Sequence, residues 1–239
     1  MAEAGVTAHA LCGRCHEPLL RAEHGCLGIS PFNSHFSTER VAGLARWALR
    51  RFSRVHLFVP DAAAAFTLES LGYPPERAAA KARRQGRYLR NKICRALREV
   101  GVADPDSMIL DSAALDRSAR YLALHTEVRD TFDRDEAFER ACLQASRWVL
   151  AGRARPGAQG EEQLRQAARY LLAELPLFLD TAGIVGARFS VFCYHQAPAF
   201  LARLFRGELP CQPRHGQGFA VLSDTFAAPA AASAVHATA

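Results

Sequence analysis

Two short apolar segments, 25–29 and 55–59, flank a segment with helical periodicity, and this arrangement restricts the fold more than any other feature of the sequence. Ser37 stands where a helix N-cap is expected, and apolar residues between 41 and 49 recur at the spacing of one helix face. Pro60 ends the second apolar segment. Strand, helix and strand within about 30 residues form a βαβ unit, so the pattern predicts a parallel sheet.

The rest of the chain continues this alternation without an internal repeat. It predicts strands at 108–110, 189–194 and 218–222, helices at 62–71, 76–100, 112–129, 134–151 and 161–179, and a loop at 152–160. Such alternation predicts an α/β fold with a doubly wound, mostly parallel sheet. A ligand site in this class lies beyond the carboxyl ends of the strands.

One domain, residues 24–225, accounts for this pattern in a chain of 239 residues. Residues 1–23 show no clear periodicity and predict a flexible N-terminal arm, and the alanine-rich segment 226–239 predicts a disordered tail. No apolar run approaches the length of a membrane helix, and the first residues show no export signal. The seven scattered cysteines then predict reduced thiols. We therefore expect a cytoplasmic monomer without a membrane partner.

Positive charge is concentrated in one predicted helix. The net charge is +6, and the segment 77–98 contains nine cations and no acidic residue, whereas the rest of the chain has more acids than cations. A solvated helix normally mixes both signs, and a stripe of cations could also dock a protein. Phosphate groups are the partner that this charge pattern favours, with backbone contact rather than base stacking because Tyr88 is the one aromatic residue.

The segment 12–16 contains the pattern C-x-x-C-H, formed by Cys12, Cys15 and His16. This is the attachment pattern of c-type haem, but that chemistry follows export. A zinc site would need a second ligand pair, which the sequence does not provide at a matching spacing. We therefore expect no metal and interpret the motif as two exposed thiols on the arm.

Ser30 follows the first predicted strand and forms half of a nucleophile elbow with Gly28. Phe32 occupies the position of the second glycine, and no late acidic residue completes a triad with a histidine. A serine acyl hydrolase and a simple turn serine both stay open. Its place at the carboxyl end of a strand favours a functional role.

Two further polar pairs stand out. Tyr170 and Glu174 share one face of a predicted helix among apolar neighbours, so the carboxylate needs a partner: either a cationic ligand group or an arginine such as Arg169. Tyr194 and His195 end a predicted strand, where a phenol could relay protons beside a neutral histidine. A core tyrosine with a surface histidine is the alternative interpretation.

Together these motifs resemble the cyclodipeptide synthase family over about residues 25–222. The resemblance is carried by the segment 28–37, the basic helix, the segment 170–178 around Tyr170 and Glu174, and the segment 191–195. It implies a Rossmann-like domain similar to the catalytic domain of class I tyrosyl- and tryptophanyl-tRNA synthetases. It also implies no ATP chemistry and no cofactor, since the substrates are two aminoacyl-tRNAs.

The resemblance assigns roles to the four polar residues. Ser30 would accept the first aminoacyl group and later carry the dipeptide, Tyr170 and Glu174 would hold the ammonium group, and Tyr194 would assist proton transfer. The basic helix would bind tRNA, not DNA, through a set of eight cations: Lys81, Arg83, Arg84, Arg87, Arg90, Lys92, Arg95 and Arg98.

Asn33 and His195 place the chain nearer the asparagine-containing branch of this family and are expected to bind substrate. The first aminoacyl pocket is expected to be lined by Cys26, Gly28, Phe58, Leu177 and Phe192, which predicts a hydrophobic first amino acid. Ala151 and Gly152 depart from the polar residue common in that branch, so the second pocket stays open. A tRNA-binding module without chemistry is the remaining alternative.

Overall fold

The computed structural model describes residues 5–31, 33–151 and 160–225. The described chain contains a six-stranded sheet in the order β1-β6-β5-β2-β3-β4. All neighbouring pairs are parallel except β1 with β6. The doubly wound, mostly parallel α/β fold is therefore confirmed. The strands are β1 (Val6–Ala10), β2 (His24–Gly28), β3 (Arg54–Phe58), β4 (Ile109–Leu110), β5 (Ser190–Tyr194) and β6 (Gln217–Asp224).

Helices cover both faces of the sheet. They are α1 (His16–Arg21), α2 (Thr38–Arg51), α3 (Ala64–Ser70), α4 (Pro75–Glu99), α5 (Ser112–Leu115), α6 (Ala119–Arg134), α7 (Glu136–Ala151), α8 (Glu161–Val185) and α9 (Ala199–Phe205). Helices α2 and α4 pack on one face, and α6 to α9 build the larger core on the other. In the part of the chain described, no helix has the length and apolar composition needed to cross a membrane.

Side-chain caps explain several helix boundaries. Ser37 accepts a hydrogen bond from the Arg40 backbone N–H, as its predicted N-cap role requires. The helix expected over 112–129 is two helices instead, because Asp111 caps α5 and Ser118 caps α6. Helix α8 continues beyond the expected end at 179, with a kink at Asp180.

The N-terminal segment is not the flexible arm that its sequence suggested. Val6–Ala10 pairs with β6 in antiparallel register, from Val6 opposite Asp224 to Ala10 opposite Ala220. As an edge strand it is held by backbone hydrogen bonds and has no fully buried residue, so its apolar signal was weak. The expected loop at 152–160, apart from residue 160, and the expected tail at 226–239 lie outside the described residues.

A buried hydrogen-bonded chain ties three strands together at the amino end of β2. The His24 Nδ1 lies 2.8 Å from the Ser190 Oγ on β5, and its Nε2 lies 2.8 Å from the His56 Nδ1 on β3. Burial, reinforced by the nearby His56 and Arg54, lowers the pKa of His24 to about 3. The imidazole is therefore neutral in the folded protein at neutral pH.

This pKa predicts an acid-sensitive contribution to stability. Because the folded-state pKa lies below the ordinary value of 6.5, the contribution is present above pH 6.5 and is lost as the pH falls toward about 3. In His24→Gln, the decline of unfolding free energy with falling pH should be shallower, by up to about 1.4 kcal/mol per pH unit. Denaturant unfolding at a series of pH values measures this slope. The same substitution at the exposed His16 is the control, and equal slopes for His24→Gln and the wild type would contradict the assignment.

Candidate active site

Two motifs that are 164 residues apart in sequence meet at the carboxyl edge of the sheet. Strands β2 and β5 are parallel neighbours, so the residues that follow β2 lie beside the end of β5. Here the hydroxyl groups of Ser30 and Tyr194 hydrogen-bond at 2.7 Å. The Ile29 N–H donates to the Phe58 carbonyl at 3.1 Å and fixes the backbone just before Ser30. The serine is therefore positioned by two neighbouring strands.

Gly28 allows this close approach. A Cβ atom at position 28 would lie 2.8 Å from the Phe192 Cε1 and 3.1 Å from the Tyr194 Cδ2. Both distances are too short for an unstrained contact, so a larger residue would displace the two rings. Gly28 thus leaves room between β2 and β5 for the rings of Phe192 and Tyr194.

A cavity of about 850 Å³ opens in front of Ser30. Its volume falls in the range of small-molecule binding sites. Its polar side chains include those of Ser30, Asn33, Tyr170, Glu174 and Tyr194. Much of its apolar wall is aromatic, formed by Phe58, Phe178, Phe192, Phe200 and Phe219. Four more polar residues line the cavity: Gln144, Ser146, Gln196 and Arg203.

Glu174 brings a carboxyl group to this cavity. Burial raises its pKa to about 7, and a hydrogen bond with Tyr170 opposes this rise. Among the described lysines and arginines, none forms a salt bridge with Glu174. Arg169, the partner considered from sequence, lies over the Phe66 ring at 4.3 Å instead. The carboxylate is thus available to a cationic group inside the cavity.

Two residues expected in the first pocket do not line it. Cys26 and Leu177 are fully buried in the core, each with an exposed fraction of 0%. Leu177 points away from the cavity, and its neighbour Phe178 takes its place, because consecutive helical residues face different directions. Gly28, Phe58 and Phe192 line the cavity.

Asn33 and His195 have different surroundings. Asn33 lines the cavity, and its Oδ1 accepts a hydrogen bond from the His35 backbone N–H at 2.9 Å. His195, expected to bind substrate, is not among the lining residues. It stacks on His35 with ring centroids 4.1 Å apart, and burial together with His35 and Arg40 lowers its pKa to about 4. It therefore supports the loop after Ser30 as a neutral ring.

An ion pair that the sequence pattern does not predict lies beneath these rings. The Arg40 guanidinium lies 3.2 Å from the Asp224 carboxylate at the end of β6, and it donates to the His35 carbonyl at 3.0 Å. Arg40 is buried, although it belongs to the first turn of α2. One feature of the sequence could have indicated a special role for Arg40: it occupies the helix position where a capping box would have a glutamate.

The basic helix α4 has exposed and anchored cations. Arg83, Arg84, Arg87, Arg95 and Arg98 are exposed. Lys81 is half-buried, and its Nζ donates to the Tyr73 hydroxyl at 2.8 Å.

Two of the expected tRNA-binding cations are engaged within the protein. Arg90 pairs with Asp106 at 2.7 Å and with Asp111 at 2.6 Å. The Lys92 Nζ donates to the Phe36 carbonyl at 2.8 Å. The contact between Lys92 and Phe36 connects α4 to the loop that follows Ser30.

The chain is similar to known proteins over most of its length. The family model described as cyclodipeptide synthase matches residues 6–224. A cyclo(L-leucyl-L-leucyl) synthase of Bacillus subtilis (strain 168) is 32% identical over 222 residues, which cover 91% of this chain and 89% of that protein.

Solved structures give the same result. A cyclodipeptide synthase from Bacillus thermoamylovorans superposes with a TM-score of 0.84 at 28% identity, covering 92% of this chain and 97% of that one. A Mycobacterium tuberculosis protein, whose structure is described as showing that cyclodipeptide synthetases are related to type I tRNA synthetases, has a TM-score of 0.80 at 27% identity, with coverage of 93% and 95%. This chain therefore belongs to the cyclodipeptide synthase family.

Proposed function

We propose that the protein joins two aminoacyl groups, each delivered by a tRNA, into a cyclic dipeptide through acyl intermediates on Ser30. The observation that carries this proposal is the 2.7 Å contact between the Ser30 and Tyr194 hydroxyls on a cavity that also holds Glu174. A nucleophile, a proton carrier and an acceptor for an ammonium group thus share one enclosure.

In the first step the Ser30 oxygen attacks the ester carbonyl of an aminoacyl-tRNA. Ser30 becomes acylated, its proton leaves through the hydrogen bond to Tyr194, and the tRNA departs with its ribose hydroxyl restored. An aminoacyl ester is already activated, so a serine without a histidine base suffices. Glu174 and Tyr170 hold the α-ammonium group and thereby orient the carbonyl toward Ser30.

In the second step the amine of another aminoacyl-tRNA attacks acyl-Ser30. This forms a peptide bond, and the dipeptide passes to Ser30 by exchange with the ester of the second tRNA. The free amine of the dipeptide then attacks the carbonyl attached to Ser30, which closes the six-membered ring and restores the serine. Tyr194, within hydrogen-bonding distance of Ser30, is positioned to return the proton to the serine oxygen.

The aromatic wall favours a hydrophobic first amino acid. Phe58, Phe178 and Phe192 present apolar surface beside Ser30, and the similar Bacillus subtilis protein is named as a synthase of cyclo(L-leucyl-L-leucyl). A charged side chain against this wall would lose its hydration without gaining a partner. Gln144, Ser146 and Arg203 make another part of the cavity more polar, where the second amino acid has more varied contacts available.

Helix α4 is the surface that we assign to tRNA. Its exposed arginines form a positively charged surface that favours a phosphate backbone as partner, and Lys92 links the helix to the loop after Ser30. Arg90 contributes less to this surface because two carboxylates already neutralise it. We assign the reaction to the cytoplasm, where charged tRNA is available, and to a monomer that needs no cofactor.

Two alternatives differ from this proposal in their use of α4 and Ser30. A serine acyl hydrolase needs no basic helix, so it would act on small esters regardless of the charge on α4. A tRNA-binding module without chemistry would form no acyl-enzyme. The hydrogen-bonded Ser30 on a large cavity favours covalent chemistry over simple binding.

Removal of the nucleophile tests the covalent pathway. Ser30→Ala should abolish cyclic dipeptide formation and the acyl-enzyme, because it removes the hydroxyl that lines the cavity and hydrogen-bonds with Tyr194. Mass spectrometry of products and of the intact protein, after incubation with charged tRNA, measures both. Ser34→Ala, an exposed serine of the same loop, is the matched control and should keep activity. A cyclic dipeptide that persists in Ser30→Ala would contradict the mechanism.

The pKa of Glu174 predicts a pH profile for acylation. Since the ionised carboxylate binds the ammonium group, kcat/KM should rise with pH through about 7. In Glu174→Gln this rise should be absent and kcat/KM should fall roughly 30-fold or more, as expected for loss of one member of a buried charge pair. Single-turnover acylation between pH 5 and about 8 measures the profile. A wild-type rise retained in Glu174→Gln would remove Glu174 from this role.

Charge removal on α4 tests the tRNA surface. The double variant Arg84→Ala, Arg87→Ala should bind tRNA more weakly, and the slope of log affinity against log salt should decrease by about 2. Filter binding at several salt concentrations measures this slope. The double variant Arg134→Ala, Arg140→Ala removes the same charge from α6 and α7, on the opposite face of the sheet, and should leave the slope unchanged. If both double variants changed the slope equally, tRNA binding would depend on the overall charge of the protein and not on α4 in particular.

A further inference from the structure

Cys12 and Cys15 lie at the junction between the edge strand β1 and helix α1, outside the cavity. A 3-10 turn over Gly13–Cys15 connects these two elements. The Leu11 N–H donates to the Phe219 carbonyl at 3.0 Å, so this junction is attached to β6. The segment is thus an ordered part of the sheet edge, in contrast to the loose arm expected from its sequence.

The two thiols are already in contact. Their Sγ atoms lie 3.6 Å apart, and both cysteines are free. A disulfide bond is about 2.05 Å long, so a small side-chain rotation closes the remaining distance. Both residues belong to one tight turn, which keeps the sulfur atoms together whenever the fold is intact.

The two cysteines differ in exposure. Cys15 is buried under β6, and the five cysteines elsewhere in the fold are buried as well, whereas Cys12 is half-exposed. A reagent from solvent therefore meets Cys12 first and leaves Cys15 as the second thiol.

Metal and haem chemistry fit this place less well. Within the described residues, no group of three or more histidine, cysteine, aspartate or glutamate side chains is arranged to hold a metal. His16 is exposed, and the buried Cys15 sulfur has no room for a porphyrin. What the turn does provide is a pair of thiols with one accessible member.

We propose that Cys12 and Cys15 form a redox-active dithiol, which small disulfides of the glutathione type oxidise to an intramolecular disulfide. This modification site is separate from the cyclic dipeptide chemistry and does not depend on it.

The oxidation takes place in two exchanges. The Cys12 thiolate attacks one sulfur of the small disulfide, forms a mixed disulfide and releases one thiol. Cys15 then loses its proton to solvent and attacks the Cys12 sulfur, which releases the second small thiol. Two protein thiols are thereby oxidised, and one small disulfide is reduced to two thiols. Burial raises the pKa of Cys15 to about 11, so the second exchange, which needs the Cys15 thiolate, becomes faster at high pH.

The test uses the reduced full-length protein and glutathione disulfide. We expect the intact mass to fall by two hydrogens, with no glutathione retained, and Cys12 to become inert to native alkylation. Arg14 lies between the two cysteines, so trypsin separates them into the peptides 1–14 and 15–21. The disulfide is then seen directly as a crosslinked pair of these peptides.

Two variants complete the experiment. Cys15→Ser should accumulate a stable glutathione adduct on Cys12, and Cys12→Ser should not react. Cys211→Ser, which removes a buried cysteine elsewhere, is the control and should form the crosslink as the wild type does. If the wild-type protein stays unmodified, or retains glutathione on Cys12 without forming the crosslink, the proposal is wrong. The crosslink readout on the wild type decides the question even if a variant fails to fold.

Discussion

The parallel pairing of β2 with β5 is the constraint on which the site depends. This pairing brings together two segments that are 164 residues apart in sequence, and it sets the distance between Ser30 and Tyr194. Because β2 and β5 are hydrogen-bonded neighbours, the rings of Phe192 and Tyr194 on β5 need a residue without a side chain on β2, and Gly28 is that residue. The hydroxyl groups of Ser30 and Tyr194 are thus held by backbone pairing rather than by loops alone.

The charged groups near the site are separated into a buried carboxyl group in the cavity and exposed cations on α4. Glu174 is held away from the described cations, with a hydroxyl neighbour in Tyr170, and its raised pKa shows the cost of isolating the carboxylate from water. On the opposite face of the sheet, α4 carries several exposed arginines. A negative group inside the cavity and a positive outer surface suit a ligand with a cationic head and a polyanionic body. The substrate that we propose, aminoacyl-tRNA, has this combination.

Local sequence patterns predicted much of this architecture, and the differences come from tertiary contacts. Strand positions, the Ser37 cap and the apolar face of α4 follow from periodicity and capping, which neighbouring residues determine. The choice between Leu177 and Phe178 as a cavity residue depends on the rotation of α8 against the sheet, which no local pattern encodes. The pairing of Arg40 with Asp224 joins residues far apart in sequence, and β1 is recognisable only once β6 is available to pair with it.

The register of that edge strand has a consequence for the interior. Asp224, the anchor of Arg40, is the residue of β6 that lies opposite Val6. Without β1, the outer edge of β6 from Ala220 to Asp224 would lose its partner, and an unpaired strand edge invites pairing with other chains. The same loss would free the last residue of β6, on which the ion pair beneath the stacked histidines rests. The N-terminal strand therefore protects the sheet from self-association, and from outside it also supports the ion pair next to the loop after Ser30.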